Sequence, residues 1–245
     1  MTFPFPAIIT NSFIDSLSIV GYSLSNNSTS LTLPSSLKAG DLLVASHSAQ
    51  SASPTSVPSG WTLAHYVGNA NGIFSDNGSQ VAYRIVQSSS ESGTTVSGFA
   101  GPSNNDAGTV CYVIRGNIAI RTVIVKDTYG SAGIGTGNPT INASDSSLCT
   151  VSIAAMGILG QISNTTSQIG TVTNYGTFRN SAGGTDPISG SQNYLSGYYD
   201  AGDDTHSGMV GYAFCQTPAN AVDIYVDNPA GNVSSLVTCY LEVRN

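Results

Sequence analysis

Apolar side chains in this chain recur at every second residue and almost nowhere at the three-and-four spacing of a helix. In VAYRIV (81–86), Val81, Tyr83 and Ile85 share one face. In TVCYVIRG (109–116), Val110, Tyr112 and Ile114 oppose Cys111 and Val113. In AIRTVIVKD (119–127), Ile120, Ile124 and Lys126 oppose Val123 and Val125. In LVTCYLEVR (236–244), Val237, Cys239, Leu241 and Val243 form an apolar face, with Thr238 and Glu242 outward and Tyr240 between them. A period of two is the signature of a β-strand with one buried face. Leu42, Leu43, Val44 and Ala45 run without a break, as in a strand covered on both faces.

Turn formers separate these runs: SNNSTS, PSG, GPSNNDAG, GSAGIGTGNP and VDNPAGN. DNGS at 76–79 reads as a tight turn, because Asn-Gly accepts positive φ cheaply. Roughly eleven or twelve short strands punctuated this way predict an all-β fold, an antiparallel β-sandwich of jelly-roll type. The triplet VAYRIV, TTVSGF, TVCYVIRG begins at 81, 94 and 109, and MVGYAFC, AVDIYVD, LVTCYLEV begins at 209, 221 and 236. An apolar run precedes each triplet. The echo reads as a duplicated half or as the ordinary rhythm of a meander. Residues 1–15, with Pro4 and Pro6, read as an extended arm, and 16–245 as one sandwich domain. The alternative is two small sandwiches split near 117–147.

Composition narrows the function. Of 245 residues only 9% are charged, with a net charge of −7. Seven basic residues neutralise few phosphates, so nucleic acid is not the expected partner. No polybasic segment or long apolar run points to a membrane. MTFPFPAIITNSF lacks the basic start of a signal peptide, so the chain is expected in the cytoplasm where it is made. Cys111, Cys149, Cys215 and Cys239 each lie in a strand-like run and read as reduced, buried, small apolar side chains. Six Asn-x-Ser/Thr matches are what a chain rich in Asn, Ser and Thr gives by chance.

Few residues suggest chemistry. His47, His65 and His206 make no metal-ligand spacing, and no G-x-S-x-G elbow exists, although Asp41 and many serines lie near His47. GSAGIGTGNP lacks the helix start that a phosphate loop needs. YYDAGDDTHSG (198–208) gathers Asp200, Asp203 and Asp204, candidate oxygen ligands for Ca²⁺, beside the ordinary reading of a solvated acidic loop. Trp61, the single tryptophan, follows Pro-Ser-Gly and reads as a core-edge anchor, with a sugar-stacking platform as the functional alternative. Tyr194, Tyr198 and Tyr199 are the other stacking candidates. No cofactor is expected.

The series AGDLLVAS, PSGWTLA, VAYRIV, TTVSGF, GTVCYVIRG, over about residues 35–117, resembles a pattern of virion structural proteins of tailed bacteriophages. Gly40, Asp41, Leu42, Leu43, Gly60, Trp61, Arg115 and Gly116 carry the resemblance. It implies a β-sandwich module of a capsid or tail, with no catalytic residue to transfer. The expected function is therefore a non-enzymatic virion surface protein, a capsid-decoration subunit bound to other virion proteins. The resemblance also implies a homo-oligomer, a trimer by analogy. A tail-fibre or receptor-binding subunit is the first alternative and a carbohydrate-binding module the second.

Overall fold

The computed structural model describes residues 13–26, 28–50, 53–68, 77–101, 107–132, 140–142, 149–159, 177–179, 193–199, 204–215, 223–227 and 233–245. Fifteen strands lie among them, with no α-helix. The first half supplies β1 (Leu17–Asn26), β2 (Ser30–Thr32), β3 (Leu42–Gln50), β4 (Thr62–Gly68), β5 (Asn77–Ile85), β6 (Thr95–Ser97) and β7 (Ala107–Gly116). The second supplies β8 (Thr122–Ala132), β9 (Thr140–Asn142), β10 (Cys149–Leu159), β11 (Thr177–Arg179), β12 (Asn193–Tyr199), β13 (Asp204–Cys215), β14 (Asp223–Asp227) and β15 (Val233–Arg244). Setting aside the four three-residue strands leaves eleven.

Two five-stranded antiparallel sheets form the sandwich, in the orders β1-β7-β3-β5-β4 and β8-β15-β10-β13-β12. Each draws its strands from one half of the chain. A jelly roll winds its strands alternately between layers, so the expected jelly-roll connectivity is not the one found. The two orders instead repeat strand for strand, and β2 pairs β6 as β9 pairs β14, with β11 as the added strand. A β-bulge recurs at the equivalent place, at Val20 in β1 and Lys126 in β8. A bare meander predicts none of this agreement; a duplicated half predicts all of it.

The interlayer core draws on both halves, among them Leu42, Val44, Val110, Tyr112, Ile114, Val151, Ile153, Val237, Cys239 and Leu241. The faces assigned to 81–86 and 109–116 are the ones observed, and Val123 and Val125 pack against the same core. Ile120, expected on the opposite face from Val123, also joins it, because it precedes the strand and folds inward. Ile14, at the end of the expected arm, is buried in this core, whereas residues 1–12 lie outside the described residues.

The outer face of the first sheet is buried too. Leu43, Ala45, Ala82, Cys111 and Val113 meet Leu31, Leu33, Leu37, Trp61 and Phe99 from the segments above. This double cover explains why 42–45 is apolar without alternation. The second sheet departs from expectation. Thr238, Tyr240 and Glu242 face away from the interlayer core yet are at most 1% exposed. The small sheet β11-β14-β9 belongs to this half, and β9 lies against β8 and β15. Tyr240 donates to Thr150 Oγ1 at 3.0 Å, and Arg244 closes on Glu242 Oε1 through Nε at 2.7 Å and Nη2 at 2.6 Å.

Hydroxyls fasten the layers at one end of the sandwich. Ser46 Oγ donates to the Ala154 carbonyl at 2.7 Å. Ser79 Oγ lies 2.7 Å from both Ser48 Oγ and Ser235 Oγ, so it joins the two sheets through a chain of three buried side chains. Asn77 and Gly78 belong to β5, where Asn77 pairs with β3 and Gly78 with both β3 and β4, so Asn-Gly does not form the centre of the turn expected there.

Candidate functional site

Two short turns position the residues that carry the bacteriophage resemblance. In Lys38–Asp41 the Asp41 amide donates to the Lys38 carbonyl at 3.0 Å, with Gly40 at φ +85°. In Pro58–Trp61 the Trp61 amide donates to the Pro58 carbonyl at 3.0 Å, with Gly60 at φ +80°. Both place glycine at the third position, where a type II turn demands the left-handed region. Gly40 is further constrained by crowding, since a Cβ there would lie 2.4 Å from Ala119 Cβ.

The first turn aims Asp41 at Arg115. Arg115 Nε donates to Oδ1 and Nη2 to Oδ2, each at 2.7 Å, and Nη2 also reaches the Ser36 carbonyl at 3.0 Å. The Lys38 amide donates to the same carboxylate at 2.8 Å. The bidentate pair raises the already high pKa of Arg115. Asp41 is therefore a clamp on β7 and unavailable to any histidine.

The second turn delivers Trp61 to the cover of the first sheet. The indole is 7% exposed and meets Phe99 edge-on, with centroids 5.5 Å apart at 68°. Among the described residues, its buried Nε1 has no hydrogen-bond partner. A sugar cannot stack on a ring held this way, so Trp61 is the anchor and not the platform. Tyr194, Tyr198 and Tyr199 fall on β12, an edge strand of the second sheet, where Tyr198 pairs with His206 and Tyr199 with Thr205 in register; their side chains lie outside the described part. The calcium candidates divide. Asp200 and Asp203 lie outside the described residues, whereas Asp204 opens β13 opposite Leu159 and so belongs to a strand, not to the loop.

The three histidines are not brought together in one strand. His47 (β3) is buried, with Nε2 2.6 Å from the Ala100 carbonyl and Nδ1 2.7 Å from Thr109 Oγ1. A carbonyl only accepts, so Nε2 carries the proton and Nδ1 accepts from Thr109. Burial pushes the pKa down to about 4, against the raising effect of the backbone contacts at Ala100 and Gly108. His65 (β4) lies beside Gly130, and burial lowers its pKa as well. His206 falls on β13. Among the described residues, no Ser–His–Asp set forms around His47. Among the described residues no three His, Cys, Asp or Glu side chains gather as metal ligands would.

The cysteine expectation needs correction. Cys111 and Cys239 are free and buried, and burial raises both thiol pKa values. Cys149 is disulfide-bonded, and Cys215 faces it across the β10–β13 ladder. Register, invisible in the linear spacing, makes that juxtaposition.

Among the described residues, four large apolar or aromatic side chains are exposed, Val20 at 37% being the least so. Phe13 is 66% exposed, Tyr22 on β1 54% and Tyr66 on β4 42%. In the sequence, Tyr22 and Tyr66 carry no signal beyond a tyrosine between turn formers, and Phe13 carries none. A cleft of about 280 Å³ opens between Gly40, Val86, Ile120 and Arg121, and its lining holds no carboxylate, histidine, cysteine or hydroxyl. Compared with family models, curated proteins and solved structures, the chain matches none.

Proposed function

We propose that this chain is a non-enzymatic surface protein of a bacteriophage virion, and within that class a capsid-decoration subunit that binds other virion proteins as a homo-oligomer. One observation carries the reading: every residue behind the resemblance has a packing role, Gly116 included, where a Cβ would lie 2.7 Å from the Ile118 carbonyl oxygen. Gly40 and Gly60 hold the turns, Asp41 and Arg115 clamp β3 to β7, Leu42 and Leu43 fill the cores on either side of one strand, and Trp61 seals the cover. A motif made of such positions preserves a scaffold, and function on a scaffold lives at its exterior. That exterior is polar with little charge and exposes Phe13, Val20, Tyr22 and Tyr66, a surface suited to close neighbours.

The test is location. Mass spectrometry of purified particles should find the chain, and electron cryomicroscopy should show a β-sandwich on the capsid exterior. Density on the tail would transfer the proposal to a tail-fibre or receptor-binding subunit. Absence from every particle fraction would sink both.

Exposed Tyr22 and Tyr66 favour carbohydrate binding as a second reading, because a tyrosine ring open to water is a stacking platform. Saturable binding on a glycan array, lost in Tyr22→Ala or Tyr66→Ala and kept in a folded Trp61→Phe variant, would promote it.

A further inference from the structure

Gly98–Gly101 crosses the outer face of the first sheet as a short strap. Glycines at φ +114° (Gly98) and +153° (Gly101) bracket Phe99 and Ala100. The Gly98 and Phe99 amides both reach the Thr29 carbonyl, at 3.3 and 3.2 Å. From the sheet side, one residue engages the strap twice. The His47 ring stacks on Phe99, with centroids 5.1 Å apart and 23° between planes, and its Nε2–H donates to the Ala100 carbonyl at 2.6 Å. Phe99 in turn meets Trp61, and beneath them lie Ala45, Cys111 and Val113.

We propose that Gly98–Gly101 is an acid-released strap: neutral His47 fastens it to the first sheet, and proton uptake by His47 frees it and wets the apolar face below. For an imidazolium, the backbone contacts at Ala100 and Gly108 offset only part of the cost of burial. On β3's neighbours the facing residues are Thr109 of β7 and Gln80 of β5, and from the strap Phe99 and Ala100; none of them titrates or carries charge. The only acceptor site for the new proton is Nδ1, which already takes the Thr109 hydroxyl proton at 2.7 Å. With the strap lifted, water solvates the cation. Glycines on both sides let the segment move while the sheet beneath keeps its ladder.

The sign follows from linkage. Above about pH 6.5 His47 is neutral with the strap up or down, and nothing changes with pH. Below that the lifted form binds the proton and the closed form does not, until about pH 4. Across that window the ratio of lifted to closed grows on the order of a few hundred-fold.

The full-length chain reports on itself, because Trp61 is its single tryptophan and packs on Phe99. Trp61 emission and acrylamide quenching, followed from pH 7.5 to 4, should show reversible exposure while far-ultraviolet circular dichroism holds steady. The His47 ring signal, followed by NMR, should titrate with the same midpoint. His47→Gln keeps an amide donor for Ala100 and an acceptor for Thr109 without titrating, and should abolish the transition. Unchanged quenching down to pH 4 overturns the proposal. So does exposure that coincides with loss of the β-sheet signal, a His47 midpoint displaced from the Trp61 midpoint, or a transition that persists in His47→Gln. If that variant does not fold, agreement or disagreement of the two wild-type midpoints decides alone.

Discussion

Gly40 and Gly93 make a matched pair, both in the left-handed region, at φ +85° and +69°. A Cβ on Gly40 would meet Ala119 at 2.4 Å, whereas one on Gly93 meets nothing within 4 Å. Gly40→Ala should therefore cost about 2–5 kcal/mol, from the dihedral and the clash together, and Gly93→Ala about 1–2 kcal/mol from the dihedral alone. Denaturant midpoints measure both, and equal losses would refute the packing account of the Lys38–Asp41 turn. Asp41→Asn leaves Arg115 facing a neutral amide. Because Arg115 is 26% exposed and partly solvated, the loss should be about 2–3 kcal/mol, short of a fully buried pair. Glycine before Trp61 and Asp41 was legible in the sequence, because only glycine takes that dihedral without strain. The clamp was not, since its partners stand 74 residues apart. Shared letters even mislead at this scale. Cys111-Tyr112 and Cys239-Tyr240 look equivalent, yet Tyr112 and Cys239 are the residues that share the interlayer core. The repeat is one of register, with the dipeptide displaced by one residue.

At the scale of elements, the long strands were legible because eight or more residues hold several periods of alternation. The three-residue strands β2, β9 and β11 were not, because three residues hold barely one, whereas β6 falls inside the run TTVSGF. Their existence changes what alternation means. Thr238 and Glu242 looked solvated because they are polar, yet the second sheet is covered on that side and they are buried. Asn77-Gly78 failed for a related reason: strand pairing on both flanks outweighs a local turn preference. Pairing between layers gives a sharper prediction. Ser79→Ala strips the shared partner from Ser48 and Ser235, and should cost about 1–3 kcal/mol. Replacing all three serines by alanine removes the stranded hydroxyls as well, so the triple variant should lose no more than the single one. Chemical denaturation of both variants checks the sign of that non-additivity; simple accumulation of loss would rule the chain out as a unit.

For the whole molecule, duplication was audible in the sequence as evenly spaced triplets, but only the matching strand orders and the shared bulge separate it from a meander. The covalent state belongs to this scale too. Of four cysteines, Cys111 and Cys239 are free and buried, so the native chain should show no reactive thiol at pH 8. Unfolded without reductant it should show two, and with reductant four. Reaction of the native protein would contradict the burial of both sites. The chain's crossings also meet at one pole. The Asp15 amide reaches Asn117, the Asn117 amide reaches the Ser16 carbonyl, and the Arg121 amide reaches the Arg244 carbonyl. There β1 begins opposite the last residue of β7, and β15 finishes opposite the first of β8. Tension between residues 15 and 244 therefore bears on the terminal rung of each ladder. It peels β1 and β15 away rung by rung, the compliant mode, and never loads a whole ladder in shear. In a force-extension trace the sandwich should unzip at low load, and would resist pulling only if gripped at opposite poles.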